Sequence, residues 1–395
     1  MVEIQTIRHI VMGWVVTAPA LMADSAERDS VTDGAGILGQ RVPYQLASVI
    51  SPWNFPLLLS MIDAIPALMA GCAVMVKPSE VTPRFIQPLQ HSIDRHPQLA
   101  GVFRFIAGDG ATGAALVDRA DIVAFTGSVA TGRKVAEAAA RNFIPALLEL
   151  GGKDPAIVLP TADIELAVRA ILRSSVQATG QACQSLERVY VHKDQIDGFV
   201  EALSKSAEQV ELNYPDIRQG HIGPLIFARQ AEVIQDHIDD ALEKGATLRC
   251  GGKIENLGGG QWIRPTVLTN VDHSMKVMRE ETFGPLIPVM AYDTIEQAIE
   301  LANDTEYGLS AAVFSQDTDQ AIAVARKINA GAVGINDAAV TVDVQDASHD
   351  VFGYSGMGQS RMGSTGITRF TREKALIIRR NEAQGIESID ERLLP

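Results

Sequence analysis

Between Gln45 and Pro160 short apolar runs alternate with segments of helical periodicity, and this alternation limits the fold more than any other feature of the chain. The runs Gln45–Ser51, Ala73–Pro78, Gly101–Ala107, Asp121–Gly127, Pro145–Leu150 and Pro155–Pro160 are too short for buried helices and predict strands. Between them, Leu57–Ala70, Pro83–Arg95, Ala111–Asp118 and Ser128–Asn142 predict helices. Strands joined by helices pair in parallel, because each return needs a crossover, and a parallel sheet is covered on both faces. The pattern resumes after Gly151, with a helix from the N-cap residue Asp163 to about Gln177 and others near 194–210, 229–244, Thr294–Asp304 and Asp317–Ala330. Strands are expected at Leu309–Ser315 and Gly331–Asp337, with a turn at Asn256–Trp262. The expected fold is α/β, in two domains that meet near Leu150–Gly152.

With 395 residues, 46% of them hydrophobic and 21% charged, the chain can bury a core of more than one domain. A net charge of -14 without any Lys/Arg cluster argues against nucleic acid or anionic membrane as partner. Cys72, Cys183 and Cys250 form no CxxC pair. That is neither a disulfide framework nor a zinc site, so no metal is expected and a reducing, cytoplasmic setting is. The apolar stretch Ile10–Ala23 is too short to span a membrane and carries Pro19. Arg8 and the small residues around it give a secretory-signal reading some appeal, but Glu3 argues against it, and a buried helix is expected.

Four short stretches suggest chemistry, each beside a plainer explanation. GDGATG (Gly108–Gly113) has dinucleotide-fingerprint spacing, but the next strand ends in Phe125 and Thr126 without the acid that would hold a ribose. It can equally be a glycine-rich turn. In FTGSVATG, Gly127-Ser128 opens a helix whose free N–H groups suit a phosphate, although Ser128 alone reads as an N-cap. In VKPSE, Lys77 and Glu80 follow a strand where α/β sheets bind ligands, or are solvated loop charges. Glu149 ends an apolar strand before two glycines, which is costly for a carboxylate unless it is ion-paired or functional.

SPWNFP (Ser51–Pro56), VKPSE, FTGSVATG, LELGGKDPAIV, GQACQ (Gly180–Gln184) and EETFGP (Glu280–Pro285) occur in that order, and the set resembles the aldehyde dehydrogenase superfamily from about Gln45 to Asn336 and more loosely to Lys374. The resemblance implies a Rossmann-type cofactor domain, an α/β catalytic domain and small oligomerisation strands. It places these at 1–24 with 44–151, at 152–352, and at 25–43 with 366–380, leaving 381–395 as a tail. It implies Cys183 as nucleophile, Glu149 as general base and Asn54 as oxyanion donor. Implied cofactor contacts are Ser51, Trp53, Lys77, Ser79, Glu80, Gly110, Phe125, Gly127, Ser128, Leu150, Glu281 and Phe283. Implied substrate-channel residues are Phe55, Leu58, Met61, Ile62, Ala182 and Gln184, a mainly apolar set, with the loop after Asn336 closing the mouth. The implied cofactor is NAD, with NADP as the alternative, and the implied assembly is a homo-oligomer, dimer or tetramer.

Two departures stand out. The chain starts closer to PWNFP than family members usually do, so their first helices and strands are expected to be absent, and Ile10–Ala23 resembles the last helix of that region. The closing motif is also altered, to VFGYSGMGQSRMGSTG (Val351–Gly366). Besides aldehyde oxidation to a free acid, a CoA-acylating enzyme and a catalytically silent scaffold remain open.

Overall fold

The computed structural model describes residues 2–389. Two mainly parallel sheets, each with one antiparallel edge strand, carry the molecule. The first runs, in spatial order, Gly356–Met357, Ala146–Glu149, Ile122–Thr126, Leu46–Ile50, Ala73–Lys77 and Phe103–Phe105, with only the first of these antiparallel. The chain lays down Leu46–Ile50, Ala73–Lys77 and Phe103–Phe105 moving outward, then returns to place Ile122–Thr126 on the other side of Leu46–Ile50. The second sheet has seven strands in the order Thr247–Cys250, Thr266–Thr269, Leu286–Tyr292, Leu186–His192, Asp154–Val158, Ser310–Phe314 and Ala332–Ile335. Its two faces bury separate apolar clusters, around Ile157, Tyr190 and Ile234 on one side and Val158, Val189 and Phe199 on the other. An antiparallel ribbon of Ala35–Pro43 with Thr371–Arg379 stands apart from both.

Strands and helices fall where the sequence pattern puts them, with shorter bounds at several ends. Only Phe103–Phe105 of the Gly101–Ala107 run pairs, and the helix expected from Pro83 begins as a single tight turn before Ile86–Asp94. The first helix is a correction. It runs from Val2 to Met22 and buries only Ile10 and Ala18, while Val2, Ile4, Met12, Val15 and Val16 are exposed. Its apolar residues surround the helix, so packing one face on the Pro56–Ala70 helix leaves the others in solvent. Among the described residues no helix is long and apolar enough to cross a membrane. Of the expected tail, Ile386–Ile389 form a short turn and 390–395 lie outside the described residues.

Candidate active site

Leu46–Ile50 and Ile122–Thr126 are neighbours whose crossovers leave in opposite directions, and open α/β sheets bind ligands at such a point. A cleft of ≈ 380 Å³ opens there, lined by Trp53, Asn54, Leu59, Gly127, Ser128, Leu150, Cys183, Phe227, Glu281 and Phe283 among others. The Val129–Asn142 helix points its N-terminus at it. Ser128 caps that helix by accepting from the Thr131 N–H, which leaves the preceding N–H groups without intrahelical partners. Trp53 and Phe283 pack edge to face with centroids 5.4 Å apart, making one aromatic wall.

Cys183 follows a turn in which Ala178, Thr179 and Gly180 have φ of 50°, 61° and 69°. Left-handed backbone at two non-glycine residues persists only under strong local constraint, and the constraint is visible. Thr179 donates to the Gly223 carbonyl at 2.8 Å, and the buried Gln181 side chain bridges the Ala178 carbonyl and the Ile226 N–H. Gly180 sits so close to Gly284 that a Cβ would lie 2.3 Å from its carbonyl carbon, so GQACQ and EETFGP are locked together. Asn54 donates from Nδ2 to the Gln181 carbonyl at 3.0 Å, and its buried Oδ1 has no partner. Burial pushes the Cys183 thiol up to about 12; Arg361 opposes the rise, and Asp154, Glu149 and Glu281 add to it.

Glu149 ends its strand directly opposite Gly356, so the altered closing segment becomes the strand beside it. The two glycines after it serve close approach. A Cβ on Gly152 would lie 2.6 Å from the Cys183 carbonyl oxygen, and one on Gly151 would strike the Glu281 carboxylate. The Gly152 N–H donates to Glu281 at 3.1 Å, yet burial and nearby Glu187 push the Glu281 carboxyl up to about 8. Behind this loop Lys153 and Glu187 form a buried ion pair at 2.6 Å, and Glu187 also accepts from the Thr282 and Phe283 N–H groups.

Of the expected cofactor contacts, Trp53, Gly127, Ser128, Leu150, Glu281 and Phe283 line the cleft, as do the expected catalytic residues Asn54 and Cys183. Lys77 holds Glu80 at 2.8 Å with the Glu80 side chain exposed, and this bond keeps the carboxyl below its ordinary range. Ser79 lies on the same loop and donates no cleft wall, and Gly110 starts a short helix capped by Asp109. Two others do not line the cleft. Phe125 is a core side chain under Gly127, whose Cβ would meet its ring at 2.6 Å. Ser51 is buried with its hydroxyl bonded to Ser60 at 2.7 Å, which engages it within the fold.

Of the expected channel residues, Ile62 lines a second cavity of ≈ 860 Å³ between the first helix and the segments Asp343–Asp346 and Arg361–Ser364. Gln184 accepts from Thr341 of the loop after Asn336. Phe55, Leu58, Met61 and Ala182 are half-buried and line neither cavity, and Met61 packs against the core. Sequence reasoning missed Gln181, Lys153, Glu187, Asp63 and Arg361. Asp63 is the only charge in the apolar Pro56–Ala70 helix, and Glu187-Arg188 interrupt an apolar strand; both were available signals.

The sequence profile of the aldehyde dehydrogenase family matches residues 3–376. The 4,4'-diapolycopene aldehyde oxidase of a Methylomonas species is 40% identical over 328 residues, which are 82% of this chain and 59% of that protein. This chain therefore spans under two thirds of that relative's length. Among solved structures, the family homologue PutA of Anabaena variabilis superimposes with a TM-score of 0.95 at 53% identity, covering 98% of this chain and 82% of that one. The betaine aldehyde dehydrogenase of Staphylococcus aureus, solved with NAD+, gives 0.89 at 31% identity, covering 98% and 77%. With the profile spanning almost the whole chain and the fold shared throughout, this protein belongs to the aldehyde dehydrogenase family.

Proposed function

We propose that this chain oxidises an aldehyde to its carboxylic acid with hydride transfer to NAD, through a thiohemiacetal and then a thioester on Cys183. The observation that carries the reading is the convergence of Cys183, Asn54, Glu281 and the aromatic wall on one cleft at the sheet's switch point, with Glu149 one residue from its lining. The residues suit a nicotinamide dinucleotide. The open end of the Val129–Asn142 helix would take the pyrophosphate, Lys77 and Glu80 the adenosine ribose, and Glu281 with Phe283 the nicotinamide ribose and ring. Bound there, the dinucleotide supplies the hydride acceptor.

The chain's own residues supply the rest. Cys183 as thiolate attacks the carbonyl carbon, and the new alkoxide takes hydrogen bonds from the second N–H of Asn54 and the Cys183 backbone N–H. One such donor is typically worth about 3–4 kcal/mol in the transition state. After hydride departs, Glu149 removes a proton from water, which hydrolyses the thioester and frees the acid and the thiol. A CoA-acylating reading would leave Glu149 idle, and CoA consumption tests it. A silent scaffold has no use for the strained loop that presents Cys183.

The same reading divides the chain near residue 151 into cofactor and catalytic units, with the 25–43 and 366–380 segments as an oligomerisation ribbon, in the cytoplasm. The outer cavity is also lined by His9, Asp343, Asp346 and Arg361, but Ile10, Trp14, Val16, Leu21, Ile62, Val344 and Met362 make up more of its wall and favour aliphatic or aromatic aldehydes over semialdehydes. A panel from acetaldehyde to decanal, with benzaldehyde and succinic semialdehyde, is the test, followed by absorbance of reduced cofactor with NAD and with NADP. Turnover of apolar aldehydes with higher kcat/KM for NAD is expected, since Glu80 would accept from a 2′-hydroxyl and repel a 2′-phosphate. No turnover of any aldehyde would overturn the reading.

A further inference from the structure

The closing segment that departs from the family pattern brings a guanidinium into the site. Arg361 donates from Nη2 to Asp63 at 3.0 Å and to the Thr126 hydroxyl at 2.5 Å. Its Nε lies 3.8 Å from Glu149 Oε1 and is buried with no hydrogen-bond partner. Arg369 pairs with the other oxygen of Asp63. All three side chains are nine-tenths buried or more. Two guanidinium groups therefore share one carboxylate, and the cluster keeps one positive charge in excess. A buried charge of that kind demands a counter-anion, and the groups facing Arg361 that can provide one are Glu149 and the Cys183 thiolate.

We propose that Arg361 is a positioning residue for the reaction: fixed by Asp63 and Thr126, it draws the Glu149 carboxylate toward its free Nε and lends its charge to the Cys183 thiolate. A movement of about 1 Å would bring Glu149 Oε1 from 3.8 Å to ordinary hydrogen-bond length. Four titratable side chains act on Cys183 from the elements packed around it. Arg361 favours the thiolate and Glu149 opposes it, as do Asp154 and Glu281 when ionised, although burial raises both of those carboxyls. Burial is the largest cause of the thiol's rise, and Arg361 is the one cation in that set that opposes it. The argument rests on reading Cys183 as nucleophile and Glu149 as base.

The test compares Arg361→Gln and Arg361→Lys with the wild type, using rapid-mixing absorbance of NADH formation across pH and steady-state kcat and KM for one aldehyde. Removing the charge should shift the pH profile of the burst upward by about one unit or more, the usual effect of an opposite charge within a few ångströms. The steady-state kcat should fall on the order of 10- to 100-fold while the aldehyde KM changes little. Arg361→Lys should keep the burst profile near that of the wild type. An unmoved profile in a folded Arg361→Gln protein overturns the proposal, as does a change in KM alone, which would confine Arg361 to lining the outer cavity. If the glutamine variant does not fold, Thr126→Val carries the test, because it frees Nη2 from one anchor and should move the profile the same way; an unmoved profile again overturns the proposal. Cys183→Ala run alongside separates the two failures. Aldehyde oxidation by that variant would sink the active-site reading itself, whereas a normal wild-type burst with unmoved Arg361 variants sinks only the inference.

Discussion

Cys183 and Glu149 serve different halves of the proposed reaction, so their removal should leave different kinetic traces. Cys183→Ala takes away the nucleophile, and neither hydride transfer nor an acyl-enzyme should be seen. Glu149→Gln keeps the shape but cannot take a proton from water, so a burst of one NADH per site should precede a steady state slowed ~10²–10⁴-fold. Mass spectrometry of the trapped thioester checks the second variant, and wild-type turnover by it would remove Glu149 from the mechanism. Glu281 makes a prediction about stability. Its folded carboxyl sits at about 8 against an ordinary 4.5, so between those values the folded state holds a proton that the unfolded chain releases. Stability is then lost as pH rises through that window. Glu281→Gln should stabilise the cofactor-free protein more at pH 8 than at pH 5, by about 1–3 kcal/mol at the upper end as read from thermal melts, and should weaken NAD binding. An equal gain at both pH values would contradict the buried, protonated carboxyl.

Helices place these residues by their ends more than by their faces. The Pro56–Ala70 helix starts two residues after Asn54 and has no cap from its own N-cap residue Phe55. Glu3 supplies one from the first helix, accepting from the Leu57 and Leu58 N–H groups at 3.1 and 2.8 Å. Glu3→Ala should cost about 1 kcal/mol in a urea melt, as loss of a charged cap usually does, with Glu3→Gln costing less. A neutral result for the alanine variant would mean that solvent satisfies those groups as well. The strands could be read in the sequence because a strand buried on both faces is an apolar run with no other explanation. The cap could not, since its donor and acceptor are 54 and 55 positions apart. Arg361 was hidden for a similar reason: it lies in a glycine- and serine-rich segment without periodicity, and only the fold brings it to Asp63 and Glu149. The proposed reacting residues were legible through a resemblance carried by whole motifs, whereas Gln181 and Lys153, inside those same motifs, took on a role only when their buried partners were seen.

At the scale of the whole molecule the ribbon is the part that a single copy leaves unfinished. Thr371–Arg379 pairs along all nine residues with Ala35–Pro43, and the short strand Arg28–Asp29 covers the other side of Ala35–Pro43. Thr371–Arg379 is thus the free edge, and it exposes Leu376, Ile377 and Ile378 in succession. A long edge with exposed apolar residues is a template for further strands unless something pairs with it. The net charge of -14 disfavours random association between copies, so a contact through this edge has to be specific. A second copy of the chain is the occupant we propose, giving a dimer or a tetramer. Light scattering on the purified protein should return a mass of two or four times 42.4 kDa. Ile377→Lys, at the most exposed apolar position of the edge, should shift the mass downward while leaving the strand pairing with Ala35–Pro43 intact, because Ile377 faces solvent at 74% exposure. A monodisperse wild-type monomer refutes the assembly, and an unchanged mass for Ile377→Lys places the interface elsewhere on the surface.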